Sequence, residues 1–375
     1  MGNSAMRLRY TSGMNITNIA NTPSHEPLRL LVFNLVTAAD HQVLAFTTDW
    51  LNALAPYCSV LDVVTMQAGR LAVDQRVRVF SVGRERGLSE PQRAVNFYAI
   101  LRRLLREQTY DACFAHMMPL FAVMGAPLLR AKRIPITTWY THRQRTLTLR
   151  LATRVSRHLV TAAPDSFPLV TPKLRVLGHG IDADFFTPPD GDAVRQRRRI
   201  VQVARLSPIK HQHVLLEAAQ PLDCEIVLVG DTAEGHSSDY QARLRQQVAA
   251  LDMGERVTFT GQQWPGQVRD WLRSAAVAIN LSPPGLFDKA ALEAMACGTP
   301  TVVSSAAFHE LTGPHSPLLI LPAPTDVDGL RERLTTLLAL SPAQRQTIGA
   351  RLRSGVVAGH SLPALVKKLV AVLRE

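Results

Sequence analysis

RIVQVARLSPIKHQHVLLEAAQ, Arg199 to Gln220, is the stretch on which the fold turns. It opens with a short apolar run over residues 199–204, typical of a strand buried on both faces. Ser207-Pro208 then supplies an N-cap residue and a proline at the first helical position, so a helix is expected over 208–220. The unit repeats down the chain. Strands at 225–230, 257–261, 277–281 and 301–304 alternate with helices at 239–251, 265–274 and 288–296, and further helices follow. Gly298 stands where a helix-ending glycine belongs. Such alternation makes βαβ units and a parallel sheet.

Upstream the rhythm is the same. LRLLVFNLV (28–36) is a continuous apolar run, and the helix expected over 43–54 carries Leu44, Thr47, Leu51 and Leu54 at spacings of three and four. Strands are expected at 60–66, 77–82, 112–115, 136–140, 160–162 and 174–177. A helix over 92–107 would place Val95, Ile100, Leu101, Leu104 and Leu105 on its apolar side. ADFFTPPDGDAVRQRRR (183–199) gathers prolines, a glycine and a basic run, which is linker chemistry. The chain therefore divides into a polar leader at 1–27, expected to be disordered, and two domains at 28–185 and 186–355. A final helix at 356–375 is expected to pack back on the first domain. The fold class is α/β, with two Rossmann-like doubly wound domains facing each other across a cleft.

Composition agrees. At 375 residues, 46% apolar and 19% charged, the chain is a folded protein of about two domains. No uninterrupted apolar stretch of about 18 residues occurs, and the first residues lack the apolar segment of a secretory signal and the myristoylation pattern. Four cysteines (Cys58, Cys113, Cys224, Cys297) lie far apart, which argues against a disulfide framework or zinc site and fits a reducing cytoplasm. The net charge of +12 is uneven. Residues 1–185 hold 22 Lys/Arg against 12 Asp/Glu, whereas residues 186–375 hold 20 against 18. The basic half suggests an acidic partner, such as an anionic membrane surface or a phosphorylated substrate, unless it reflects an Arg-rich composition.

The chemistry concentrates in 199–313. Arg205 and Lys210 flank a strand end and the first turn of a helix, a place where two cations and free N–H groups can hold a diphosphate. LVGD (228–231) and VTFTG (257–261) end the next two strands. SPPGLFDKAALEAMACGTPTVVSS (282–305) then gives a loop, a helix carrying Glu293, a glycine stop and a buried strand. A carboxylate there can accept from both hydroxyls of a ribose, and the helix start at Asp288 can cradle an anion.

With these residues in view, the chain resembles glycosyltransferase family 4, which has the two-domain GT-B fold. ARLSPIKH, LVGD, VTFTG and LEAMACGTPTVVSS carry the resemblance in order, and GHGIDADFF (178–186) is similar to the family's interdomain element. The resemblance implies a retaining, metal-independent transferase taking a sugar from a nucleotide-sugar, with no cofactor. It implies that Arg205 and Lys210 act on the donor diphosphate and that Glu293 holds the ribose. Gly230, Asp231, Asp288, Lys289 and Ala290 would line the donor pocket, and His116 matches a family histidine near the donor sugar. Asp40, His41 and His142, at strand ends of the first half, are candidates for the acceptor or sugar side. Two departures stand out. Gly285 replaces the first acid of the family's E-x7-E pair, so sugar recognition must differ, and Ala204 replaces a glycine before Arg205.

Three D-x-D triplets (Asp182/Asp184, Asp190/Asp192, Asp326/Asp328) are expected to bind no metal, since cations already serve the diphosphate. A nucleotide-sugar epimerase on the same fold and a basic nucleic-acid binder are the alternatives. The EAMACGTP context does not resemble the former, and the latter lacks interleaved aromatics, so no nucleic acid is expected as partner. Acceptors in the family are often lipid-linked, and Arg102, Arg103 and Arg106 on one helix could hold the protein at the inner face of a membrane. Residue identities name neither the base, the sugar nor the acceptor.

Overall fold

The computed structural model describes residues 26–41, 44–190, 198–232, 239–283 and 285–375. The proposed leader and most of the linker lie outside the described residues. The first sheet is built from β1 (Leu28–Thr37), β2 (Cys58–Ala68), β3 (Val77–Ser81), β4 (Ala112–His116), β5 (Ile136–Trp139), β6 (His158–Thr161) and β7 (Leu174–Val176). All pairs are parallel, in the order β3-β2-β1-β4-β5-β6-β7. Its helices are α1 (Phe46–Leu54), α2 (Glu90–Glu107), α3 (Pro119–Ala131) and α4 (Leu147–Val155).

The second sheet contains β8 (Arg199–Val203), β9 (Glu225–Val229), β10 (Val257–Phe259), β11 (Val277–Asn280) and β12 (Thr301–Val303), again all parallel, in the order β10-β9-β8-β11-β12. Around it lie α5 (Gln212–Ala219), α6 (Asp239–Ala250), α7 (Pro265–Ser274), α8 (Lys289–Ala296), α9 (His309–Thr312), α10 (Ser316–Leu319), α11 (Val327–Ala339) and α12 (Pro342–His360). In both sheets the strand order reverses after the third strand, which leaves β1 beside β4 and β8 beside β11. A doubly wound sheet opens a ligand crevice at such a switch point, outside the carboxyl ends of its strands.

The last helix, α13 (Leu362–Arg374), leaves the second domain and packs on the first. Leu365, Val366, Leu369, Val370 and Leu373 bury against the same face of the sheet as α1, together with Leu28, Leu30 and Trp50. Each such side chain contributes about 1.5–3 kcal/mol. The crossing lies at Ser361, which caps α13, rather than at residue 356, because α12 continues to His360. There the two interdomain segments meet: Ile181 N donates to His360 O and Leu362 N to Ile181 O, both at 2.8 Å.

Several expectations from the sequence change in detail. Val95 is 68% exposed; the buried stripe of α2 is Phe97, Leu101, Leu104 and Leu105, from which Val95 is turned away by helical geometry. Helices α3 and α4 were not anticipated. The first is apolar nearly all round and contains Pro127, so no clean period marks it. The helix expected over 208–220 is interrupted: a 3-10 turn, Pro208–Lys210, is followed by His211 in the left-handed region (φ +52°) before α5 begins. The Ser207 hydroxyl makes no cap bond. Nor do the D-x-D acids converge on a common point. Asp182 accepts the Asp184 and Phe185 N–H groups, Asp326 caps α11, and Asp328 pairs with Arg331. Asp192 lies outside the described residues.

Candidate active site

The carboxyl edge of the second sheet is held together by a network spanning its switch point. Lys210, after β8, donates from Nζ to Ser282 Oγ (2.8 Å) and to Asp288 Oδ2 (2.5 Å), both after β11. Ser282 Oγ donates in turn to Asp288 Oδ2 at 2.7 Å. Asp288 caps α8, accepting from Ala290 N at 3.2 Å. Burial alone would raise this carboxyl, but Lys210, Ser282 and Asn280 overcome it and hold Asp288 at about 2. The acid is therefore ionised and occupies the helix start that the sequence assigned to a ligand. A bound anion would meet the remaining N–H groups of that start and Lys210 already shared with Asp288.

Arg205 differs. It is exposed, and among the described residues no acid pairs with its guanidinium. The β8–α5 loop that carries it is braced from beneath by two buried amides: Gln202 donates to Lys210 O at 2.7 Å and Gln212 to Arg205 O at 2.8 Å. The left-handed break at His211 is what separates Lys210 from α5.

Glu293 is half-buried on α8, one turn from Lys289, whose Nζ lies 3.7 Å from Glu293 Oε1. Burial pushes the Glu293 carboxyl above its ordinary range, and Lys289 opposes the shift. Lys289 also reaches across the cleft: its Nζ stands 4.5 Å from the centre of the Phe46 ring, on α1. Gly230 (φ +138°) donates to Gly261 O at 3.1 Å, and a Cβ there would overlap the Ala204 carbonyl. This close approach, which only glycine permits, joins LVGD to VTFTG beneath the site. Asp231 O accepts from Leu206 N at 3.0 Å, so its backbone helps hold the loop of Arg205.

Across the cleft, His116 ends β4, in register with Asn34 and Trp139. Its ring is boxed by aromatics: Trp50 at 4.6 Å, Phe114 at 5.8 Å, Phe46 at 6.2 Å and Trp139 at 6.4 Å. Burial lowers the imidazole to about 3, so near neutral pH it offers a neutral donor or acceptor and no positive charge. Asp40 accepts from Arg70 N at 3.1 Å, and His41 Nδ1 accepts from Leu44 N at 3.1 Å, so both first brace the turn after β1. His142 is exposed beside Tyr140, 5.8 Å ring to ring, and separate from the His116 box. The sequence reading missed Ser282, Asn280 and the box of Phe46, Trp50 and Trp139. F-x3-W on α1 was the one available signal for the box. Among the described residues no three or more His, Cys, Asp or Glu side chains converge as metal ligands.

Comparison with known proteins bears on this arrangement. Residues 197–339 match the family model of glycosyl transferases group 1. The chain is 31% identical over 140 residues to D-inositol 3-phosphate glycosyltransferase of Mycolicibacterium smegmatis, covering 36% of this chain and 32% of that one. It is 27% identical over 280 residues to the MMP alpha-(1->4)-mannosyltransferase of Mycolicibacterium hassiacum, covering 68% and 65%. The matches to the D-inositol 3-phosphate glycosyltransferases thus span about a third of those proteins' length. Among solved structures, Anabaena HepE in complex with UDP superposes with a TM-score of 0.71 at 19% identity, over 92% of this chain and 99% of that one. Sucrose-phosphate synthase of Thermosynechococcus elongatus gives 0.71 at 18% identity, over 92% and 98%. The fold is GT-B, and the C-terminal domain is of the glycosyltransferase group 1 family.

Proposed function

We propose that the protein is a glycosyltransferase that moves a sugar from a nucleotide-sugar to an acceptor, without a metal and with retention at the anomeric carbon. The observation that carries this reading is Arg205, paired with no acid among the described residues, beside the Lys210–Asp288–Ser282 network, at the switch point of a group 1 domain. Arg205, Lys210 and the start of α8 would stabilise the departing diphosphate, the largest charge that develops in such a reaction. Glu293 would hold the ribose hydroxyls. The leaving phosphate oxygen would take the acceptor's proton, which suits front-side attack and retention. Neutral His116 would hydrogen-bond the sugar or acceptor rather than carry charge. HepE has been solved in complex with UDP and with UDP-glucose, which makes a UDP-sugar the first donor to try.

The acceptor would enter on the side of the first domain. No helix among the described residues is long and apolar enough to cross a membrane. Arg102, Arg103 and Arg106 are exposed on α2, with Arg103 also near Glu107 (3.7 Å) and over Phe80. They support transient, salt-sensitive attachment to an anionic bilayer at its cytoplasmic face. The test of the function is a thermal-shift screen against UDP-, GDP- and ADP-sugars with and without EDTA. A donor at 100 times its Kd should stabilise the chain by about 2.7 kcal/mol. No shift with any of them overturns the reading, and a shift or turnover abolished by EDTA overturns its metal independence.

A further inference from the structure

Gly285 lies in the loop between β11 and α8, three residues before the cap Asp288. Its φ is +79°, in the left-handed region, and a Cβ built on it would overlap Asp165 Oδ2. Position 285 is thus kept side-chain-free twice over, by its backbone and by a carboxylate already filling the space. Asp165 belongs to the other domain. It sits in the 3-10 turn Pro164–Ser166 at the carboxyl end of β6, the cleft edge of the first sheet.

The turn is anchored on both sides. Ala163 packs into the core of the second domain, Ser166 N donates to Ala163 O at 3.0 Å, and Phe167 is buried against Tyr140. Asp165 itself is exposed, and among the described residues nothing hydrogen-bonds or ion-pairs its carboxylate. The lysines of the facing domain are otherwise engaged, Lys210 with Asp288 and Lys289 with Glu293. Among the described residues Asp165 is therefore no member of a salt bridge. It is a solvated acceptor pair, carried by an anchored turn against the loop that leads into α8.

We infer that Asp165 is a specificity-determining residue that accepts hydrogen bonds from hydroxyls of the transferred sugar, contributed by the first domain to a pocket whose other walls belong to the second. This rests on the nucleotide-sugar reading above: a diphosphate at Arg205, Lys210 and the start of α8 brings its attached sugar to residues 285–288, where the carboxylate waits. Two adjacent hydroxyls can share its two oxygens, and such bonds to a charged acceptor are the stronger kind.

The test is calorimetric titration of the full chain, Asp165→Asn and Asp165→Ala with UDP, GDP and ADP, and with their glucose, galactose and mannose conjugates. Since Asp165 is exposed and unpartnered, both variants should melt with the unmodified protein. Affinity for the bare nucleoside diphosphate should stay within about twofold, while affinity for its sugar conjugate falls on the order of 10-fold in Asp165→Ala. An unchanged ratio of the two affinities, or an equal loss in both, overturns the role of Asp165 and leaves the function standing. An unmodified chain that binds none of the three diphosphates overturns the function and this inference with it.

Discussion

The two carboxyl edges that face each other are built from the same strand order and opposite chemistry. The second sheet ends in charges and hydroxyls tied across its switch point: Lys210, Ser282 and Asp288, with the exposed Arg205 beside them. The first ends in rings, with His116 enclosed by Phe46, Trp50, Phe114 and Trp139. One edge is thus ionic, while the other sets its aromatic rings into the first domain's core, with His116, Trp50, Phe114 and Trp139 each 6% exposed or less. Side-chain chemistry, rather than topology, separates the two edges.

The largest effect that would break this comparison is on the ionic edge. Arg205→Ala and Lys210→Ala should each lower turnover by roughly 100-fold or more, as loss of an oxyanion-type donor does. The two should separate in stability. Arg205 is exposed and pairs with no acid among the described residues, so its loss should leave the melting temperature unchanged. Removing Lys210 strands Asp288, whose side chain is 19% exposed, and should cost on the order of 3 kcal/mol. Equal melting temperatures in denaturation scans would mean that the network does not organise the site.

Acid should attack the aromatic edge and the hinge before the ionic edge. Burial depresses His116 to about 3, His179 to about 4 and His360 to about 4. Folded pKa values below the unfolded value mean stability that is complete above about pH 6.5 and is lost as pH falls toward the folded values. Asp288, held at about 2, contributes stability that is complete above the ordinary carboxylate range and is lost only as pH falls through that range toward about 2. Melting temperature should therefore drop by several degrees between pH 7 and 4.5. A flat profile over that window would show that these imidazoles are not buried neutral.

A smaller effect is expected at Glu293. Glu293→Gln keeps the size and one acceptor, so donor KM should rise by about 10-fold while kcat changes less, the pattern of uniform binding. A fall in kcat alone, measured by initial rates, would move Glu293 from ribose binding into the chemistry. The smallest effect concerns the bridge between the edges. Phe46→Leu removes the ring beneath Lys289 and should weaken donor binding by no more than about 1 kcal/mol, the size of a partly exposed cation–π contact. A larger loss would make Phe46 part of the ligand site itself.

The sequence by itself determined the βαβ alternation and the two sheets, and it singled out the stretch from Arg205 to Glu293. These are written in local terms: apolar runs, the proline at 208, the glycines at 230 and 298, and short spacings that survive in one dimension. It did not determine helix breaks such as His211, because a single left-handed residue leaves no periodic trace. Only the tertiary structure decided which partner each group takes. Lys210 meets Asp288 across 78 positions, and His116 meets Trp50 and Trp139 from separate elements. Asp165 meets Gly285 from the opposite domain. The absence of an acid at 285 was legible; the carboxylate standing in its place was not. Side chains that converge at strand ends are chosen by sheet order and domain docking, and both are set by the summed burial of cores such as that beneath α13 rather than by any local pattern.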